Sequence, residues 1–264
     1  MNISYTMLST YKKCHRRMYL QYIKKVVPYE KIDNRPFIVG ICADWLFKKW
    51  VESGYPKDWM ENKAKEIFEW FATKKRIKYI SSDDKEKLIR KLIVSVVDLQ
   101  EAVYVEKFPE RALILQLTVE YPVQSNNLTG KMDIWFPEEK AICDLKITAS
   151  NKYLDEFQLR FFAWLVERKM QVSVARLVFL SPLMTPYMRE VSWSPEDKVE
   201  FELDLMSHLS LISDGRWEVT AKDCWNCPVA HFCEEGAVKE SKKTKSGGFS
   251  LNVGGSDGTN TEEL

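Results

Sequence analysis

Leu8, Tyr11, Met18 and Tyr22 recur at spacings of three and four, with Cys14 or His15 between them, the stripe of an amphipathic helix. The opposite face of that helix carries Lys12, Lys13, Arg16 and Arg17. Helical patterning rich in Trp, Phe, Lys and Glu predicts three further helices over 37–53, 57–78 and 83–107. Near residue 112 the period changes. "ALILQLTVEYPV", "LTGKMDIWF" and "KAICDLKIT" are aliphatic or β-branched runs separated by "QSNN" and "PEEK", which predicts a meander of three strands. "LDEFQLRFFAWLVERK" returns to helical period, and strands over 173–181 and 187–193 precede a helix over 195–213. From Lys239 the Lys, Gly and Ser positions running to "SDGTNTEEL" predict a disordered tail.

The 264 residues are 45% apolar and 12% aromatic, ample for a folded core. A net charge of +1 provides no global field toward nucleic acid or membrane, so local clusters must carry any such reading. The N-terminus lacks a signal peptide's apolar centre, and no apolar run approaches the roughly 18 residues of a membrane span. A cytoplasmic protein is the expectation. In that compartment the six cysteines are better read as metal ligands or core residues than as disulfides.

The charged positions of the central strands change the picture most. Strand alternation puts Asp144 and Lys146 on one face with Ile142, and Cys143 and Leu145 on the other. A short "PEEK" turn would set Asp133 beside Asp144. Two adjacent carboxylates repel, and a divalent cation between them relieves that repulsion. A neighbouring lysine could hold a water that the metal polarises. Asp-x-Lys alone is weak, because Glu61/Lys63, Asp83/Lys85 and Glu138/Lys140 show the same spacing on polar segments. The strand pattern by itself leaves a metal site and a wet sheet face both open.

"GKMD", then "DLK", then a helix with "QLRFF" resembles the core of the PD-(D/E)XK nuclease superfamily, and within it the RecB-like branch of CRISPR-associated and AddB-type exonucleases. Gly130 and Asp133 match the branch's G-x-x-D, Asp144 and Lys146 its D-x-K, and Gln158 the start of its Q-x-x-x-Y, with Phe162 in the place of tyrosine. Glu120 matches an additional acidic position. Asp44, four residues after Gly40, stands where the branch often has a histidine ligand; an aspartate there would favour hard Mg²⁺. The resemblance implies an α/β restriction-endonuclease-like core with a central mixed sheet flanked by helices. It implies catalysis by Asp133, Asp144, Lys146, Glu120 and Gln158. Mg²⁺ or Mn²⁺ would be held by Asp133, Asp144, Glu120, Asp44 and the Leu145 carbonyl.

"CWNCPVAHFC" spaces Cys224, Cys227 and Cys233 as C-x2-C-x5-C, an array that grips one metal centre, and Cys14 is the candidate for a fourth ligand. Structural zinc, with His15 or His231 contributing, and an iron–sulfur cluster both satisfy that spacing. The branch includes members with one cysteine near the start and three near the end holding [4Fe-4S], so the resemblance implies a cluster stapling the chain ends. Cys42 and Cys143 read as small buried hydrophobes.

Lys12, Lys13, Arg16 and Arg17 could track phosphates, or form a solvated helix face. The expected organisation is one RecB-like nuclease domain over 1–238: a mainly helical part (1–110), a sheet core (111–194) and a helix with the cysteine segment (195–238). The tail would be 239–264. The expected function is metal-dependent exonuclease action on DNA, with preference for single-stranded ends. A non-catalytic DNA-end-binding or assembly subunit is the alternative. Lacking a Walker-type loop, the chain would take any helicase from a partner, and a recombinase or integrase could also partner it.

Overall fold

The computed structural model describes residues 1–26, 35–53, 57–74, 81–105, 116–121, 126–148, 150–181, 183–184, 187–220, 224 and 227–233. The tail expected over 239–264 lies outside them. Strand β1 (Asn2–Ser4) leads into helix α1 (Tyr5–Lys13), whose first turn is capped by the Ser4 hydroxyl accepting the Met7 N–H. A short helix α2 (His15–Met18) runs into a π-helical turn at Tyr19–Ile23. Helices α3 (Arg35–Ser53), α4 (Lys57–Lys74) and α5 (Ser82–Val105) then pack on one another. The second half runs β2 (Gln116–Tyr121), β3 (Asn126–Lys131), β4 (Ile134–Phe136), β5 (Ala141–Leu145), α6 (Glu156–Met170), β6 (Arg176–Leu180), β7 (Met188–Val191) and α7 (Pro195–Ser213).

Two expectations change. The predicted continuous first helix breaks at Cys14, whose backbone is extended (φ −166, ψ 117). The N–H groups this frees find other partners: His15 donates to Thr220 Oγ1 and Arg16 to the Glu218 carbonyl. The predicted strand "LTGKMDIWF" is also two strands. Its first half, β3, pairs with β1 (parallel) and β2 (antiparallel); its second half, β4, pairs with β5. The strands therefore form a three-stranded sheet β1-β3-β2 and a four-stranded sheet β4-β5-β6-β7, both mixed, with Met132 and Asp133 at the change of partner.

β5, α6 and β6 form a crossover unit, since β5 and β6 are parallel and a helix must return the chain. Helix α6 starts on the Asp155 cap and ends at Gln171 in the left-handed region. One face of the four-stranded sheet (Ile142, Leu177, Phe179) packs with α1, α6 and α7 in the main core. The other face (Cys143, Leu145, Val178, Leu180) packs against Phe47 of α3. That contact fixes α3 beside β4 and β5. Cys42 and Cys143 are both fully buried, as expected of core thiols. Among the described residues no helix is long and apolar enough to cross a membrane.

Candidate active site

Ile134 pairs with Cys143, so the antiparallel ladder continues one step to bring Asp133 opposite Asp144. Asp133 takes the Leu145 N–H on Oδ2 at 3.0 Å, replacing a backbone acceptor where the strand bends. Its Oδ1 faces Lys48 Nζ of α3 at 3.1 Å, and the same ammonium lies 2.5 Å from Asp44 Oδ1. Asp144 is 1% exposed and its Oδ2 lies 2.6 Å from Lys146 Nζ. The lysine ammonium thus offsets the charge of this buried oxygen. Lys146 donates to Gln158 Oε1 at 2.8 Å. Asp44, Asp133, Asp144, Lys146 and Gln158, spread over 115 positions of sequence, thus converge at the carboxyl end of β5 and the first turn of α6.

Burial pushes the Asp144 carboxyl up to about 7, Lys146 opposes this, and the charges of Asp133 and Asp44 add to it. Asp44 is also raised, first by burial and then by Asp133. The three acids therefore repel one another. Hard oxygen donors under such repulsion suit Mg²⁺ or Mn²⁺. As the side chains stand, no three acid, histidine or cysteine groups among the described residues are close enough to share an ion. Lys48 fills the space between Asp44 and Asp133.

Gly130 has a packing role. A Cβ there would lie 2.7 Å from Leu165 Cδ1 and 3.0 Å from the Phe162 ring, so the bare backbone lets α6 lie on β3. Phe162 is buried and has no hydroxyl at this position. The Tyr5 ring, 6.2 Å from it, comes from α1 and donates its hydroxyl to Asp155 Oδ2 at 2.6 Å. Burial and Asp155 push that phenol above its ordinary range.

An open groove of about 620 Å³ borders Lys146 and Gln158 and is lined by Lys13, Lys152, Tyr153 and Tyr5. A second of about 330 Å³ shares Tyr5, Thr6 and Gln158 with it and reaches Lys131. Tyr153 is 58% exposed, with Lys152 Nζ 4.8 Å from its ring centroid. Of the four basic residues expected to track phosphates, only Lys13 lines this groove. Lys12 pairs with Asp204 at 2.7 Å, Arg16 lies over Tyr19, and Arg17 bonds Gln21.

The β2–β3 register sets Glu120 opposite Asn127 on the three-stranded sheet, six positions before Asp133. Sequence reasoning missed Lys48, Lys152, Tyr153 and Tyr5. Lys48 had a signal, its i,i+4 spacing from Asp44, but such pairs are ordinary on exposed helix faces.

Cys14 meets the C-terminal array at the opposite end of α1. The Cys227 thiol is raised mainly by burial, with the Cys14 and Cys233 thiols adding to it. The Cys227 N–H bonds the Cys224 carbonyl in one tight turn, and no cysteine is in a disulfide. The Cys14, Cys227 and Cys233 thiols are thus neighbours, though no three such groups among the described residues are close enough to share an ion as they stand. His15 is stacked on Tyr11 (3.9 Å) and faces Glu218 at 3.2 Å, so its imidazole is engaged elsewhere.

Asp133, Asp144, Lys146 and Gln158 thus lie together at the edge of the β5–α6–β6 crossover unit. The PD-(D/E)XK nuclease superfamily model matches residues 2–234. The chain belongs to that superfamily. A candidate exonuclease from Eubacterium rectale shares the fold at TM-score 0.58 and 13% identity, over 86% of each chain. The crystal structure of SSO0001 matches at TM-score 0.40 and 12% identity, over 89% of this chain and 86% of that one, too weakly to carry an argument. Among curated proteins no match was found.

Proposed function

We propose that the protein is a metal-dependent DNA exonuclease of the RecB-like branch that acts at single-stranded ends. The observation that carries this reading is the chain Asp144–Lys146–Gln158 beside Asp133, with contacts of 2.6 and 2.8 Å at the mouth of the groove. Asp133 and Asp144 would hold Mg²⁺ or Mn²⁺, with Asp44 and the Leu145 carbonyl completing the oxygen set. Bound there, the ion supplies Lewis acidity to the scissile phosphate and lowers the pKa of the attacking water. Lys146 orients that water and offsets charge developing on the phosphate, while Gln158 and Asp144 hold its ammonium. The Leu145 N–H locks the Asp133 carboxylate in one orientation.

The two adjoining grooves give a strand its path. Lys13, Lys152 and Lys131 line them and can meet phosphates, and Tyr153 offers a face on which a base can stack. An exposed aromatic beside lysines favours a single strand or a frayed end, whose bases are free to stack, over an intact duplex, and unwinding of duplex would fall to a helicase partner. In this reading Cys14, Cys224, Cys227 and Cys233 hold a [4Fe-4S] cluster that ties α2 to the C-terminal segment, and its role is structural. Soft thiolate donors and a reducing cytoplasm suit that assignment. Residues 1–238 act as one domain.

Digestion of end-labelled single- and double-stranded DNA with Mn²⁺, comparing wild type with Lys146→Ala, tests the proposal. Stepwise shortening of single strands by the wild type alone is expected. Equal cleavage by both proteins would remove the assigned mechanism. Binding without cleavage by either would favour a DNA-end-binding subunit.

A further inference from the structure

Lys48 is placed unlike a surface lysine. Its side chain is 16% exposed and its ammonium bridges two carboxylates from different elements, Asp44 of α3 and Asp133 at the strand bend. Asp133 Oδ2 already accepts the Leu145 N–H, so Oδ1 is the oxygen more open to a cation. Lys48 is on that oxygen. Three acids (Asp44, Asp133 and Asp144) face two ammonium groups (Lys48 and Lys146), with Lys131 acting on Asp44 from further off. Without Lys48 the two exposed-side acids would repel with no cation between them.

A divalent ion reaching Asp133 Oδ1 must therefore meet an ammonium already in place. Two cations about 3 Å apart repel strongly even in a partly solvated site. Lys48 can yield without leaving the helix face, because its i,i+4 contact with Asp44 is local to α3 and only the longer 3.1 Å contact to Asp133 has to open.

We propose that Lys48 is an internal competitor for the divalent cation: it occupies Asp133 Oδ1 in the metal-free protein, holds the acid cluster together, and is displaced when the ion binds. The inference rests on the nuclease reading of the same site. Lys48 thereby raises the metal concentration at which the site fills, and keeps the fold intact below it.

Calorimetric titration of the full chain with MnCl₂, without DNA, tests this in wild type, Lys48→Met and Lys48→Arg. Lys48→Met is expected to bind Mn²⁺ about tenfold more tightly, while melting lower without metal; Lys48→Arg should stay near wild type. Adding Asp133→Asn to Lys48→Met should abolish the tight site. Lys48→Gln, with its fold checked by circular dichroism, serves if the methionine variant does not fold. Equal or weaker Mn²⁺ binding by the uncharged variants overturns the proposal, as does tight binding that survives Asp133→Asn. Wild-type binding that depends on Asp133 but is indifferent to Lys48 removes this inference alone. No Mn²⁺ binding in any variant removes the metal-dependent nuclease reading with it.

Discussion

Gly130 and Leu165 approach so closely that a single methyl group on the glycine would sit 2.7 Å from the leucine Cδ1. The glycine of the G-x-x-D pattern thus sets the distance between β3 and α6, and with it the position of Gln158 relative to Asp133. Gly130→Ala should cost about 1–3 kcal/mol by overpacking a core whose other wall is the rigid Phe162 ring. Chemical denaturation checks this. Trimming the neighbour in Gly130→Ala/Leu165→Val should give a loss smaller than the sum of the two single changes.

Lys146 donates to Gln158 Oε1 at 2.8 Å, so in the proposed mechanism the glutamine positions the lysine. Lys146→Ala should lower kcat by about 10²–10³-fold through loss of charge at the reacting phosphate. Gln158→Ala should lower kcat less and leave KM nearly unchanged, and Gln158→Glu should recover part of the loss because it still accepts from the ammonium. Steady-state cleavage of a single-stranded substrate separates the two parameters.

Asp144 gives the metal-free protein a defined pH response. Its carboxyl is raised from 3.8 to about 7, so the folded state holds a proton that the unfolded state releases. The resulting stability is complete below about 4 and is lost as pH rises through about 7. Asp144→Asn should flatten that slope and, at pH 8 without metal, be more stable than wild type by on the order of a few kcal/mol. Thermal melts from pH 4 to 8 in the presence of a chelator provide the measurement.

Tyr153 and Lys152 touch no acid of the site, so their loss should weaken strand binding and spare the chemistry. Tyr153→Ala should raise KM about tenfold, in line with base stacking of ~1–3 kcal/mol. Lys152→Glu should do the same with a shallower salt dependence. A fall in kcat at saturating DNA would count against this division of labour.

Cys14 sits where the first helix breaks and the C-terminal segment docks. Cys14→Ser should remove absorbance near about 400 nm and protein-bound iron together, and lower the melting temperature without changing the Mn²⁺ requirement of the remaining folded fraction. Colourless wild-type protein containing zinc would replace the cluster by a structural zinc.

Local patterns were enough to reveal much of the protein. Helical and strand periods placed α3 to α7 and the β5 hairpin within a few residues, and alternation alone put Asp144 and Lys146 on one face, where their charged groups are 2.6 Å apart. Those properties depend on neighbours in the chain. Where Glu120 falls depends on the β2–β3 register, and no local pattern encodes the offset that sets it opposite Asn127. The break at Cys14 likewise depends on residues 218–220 arriving to take its freed N–H groups. Lys48 meets Asp133 only because Phe47 docks α3 on the sheet, a contact between segments distant in sequence. The sequence by itself determined which groups carry charge and which way each faces on its own element. Only the tertiary structure decided which of them meet, because burial and packing between distant segments fix those distances.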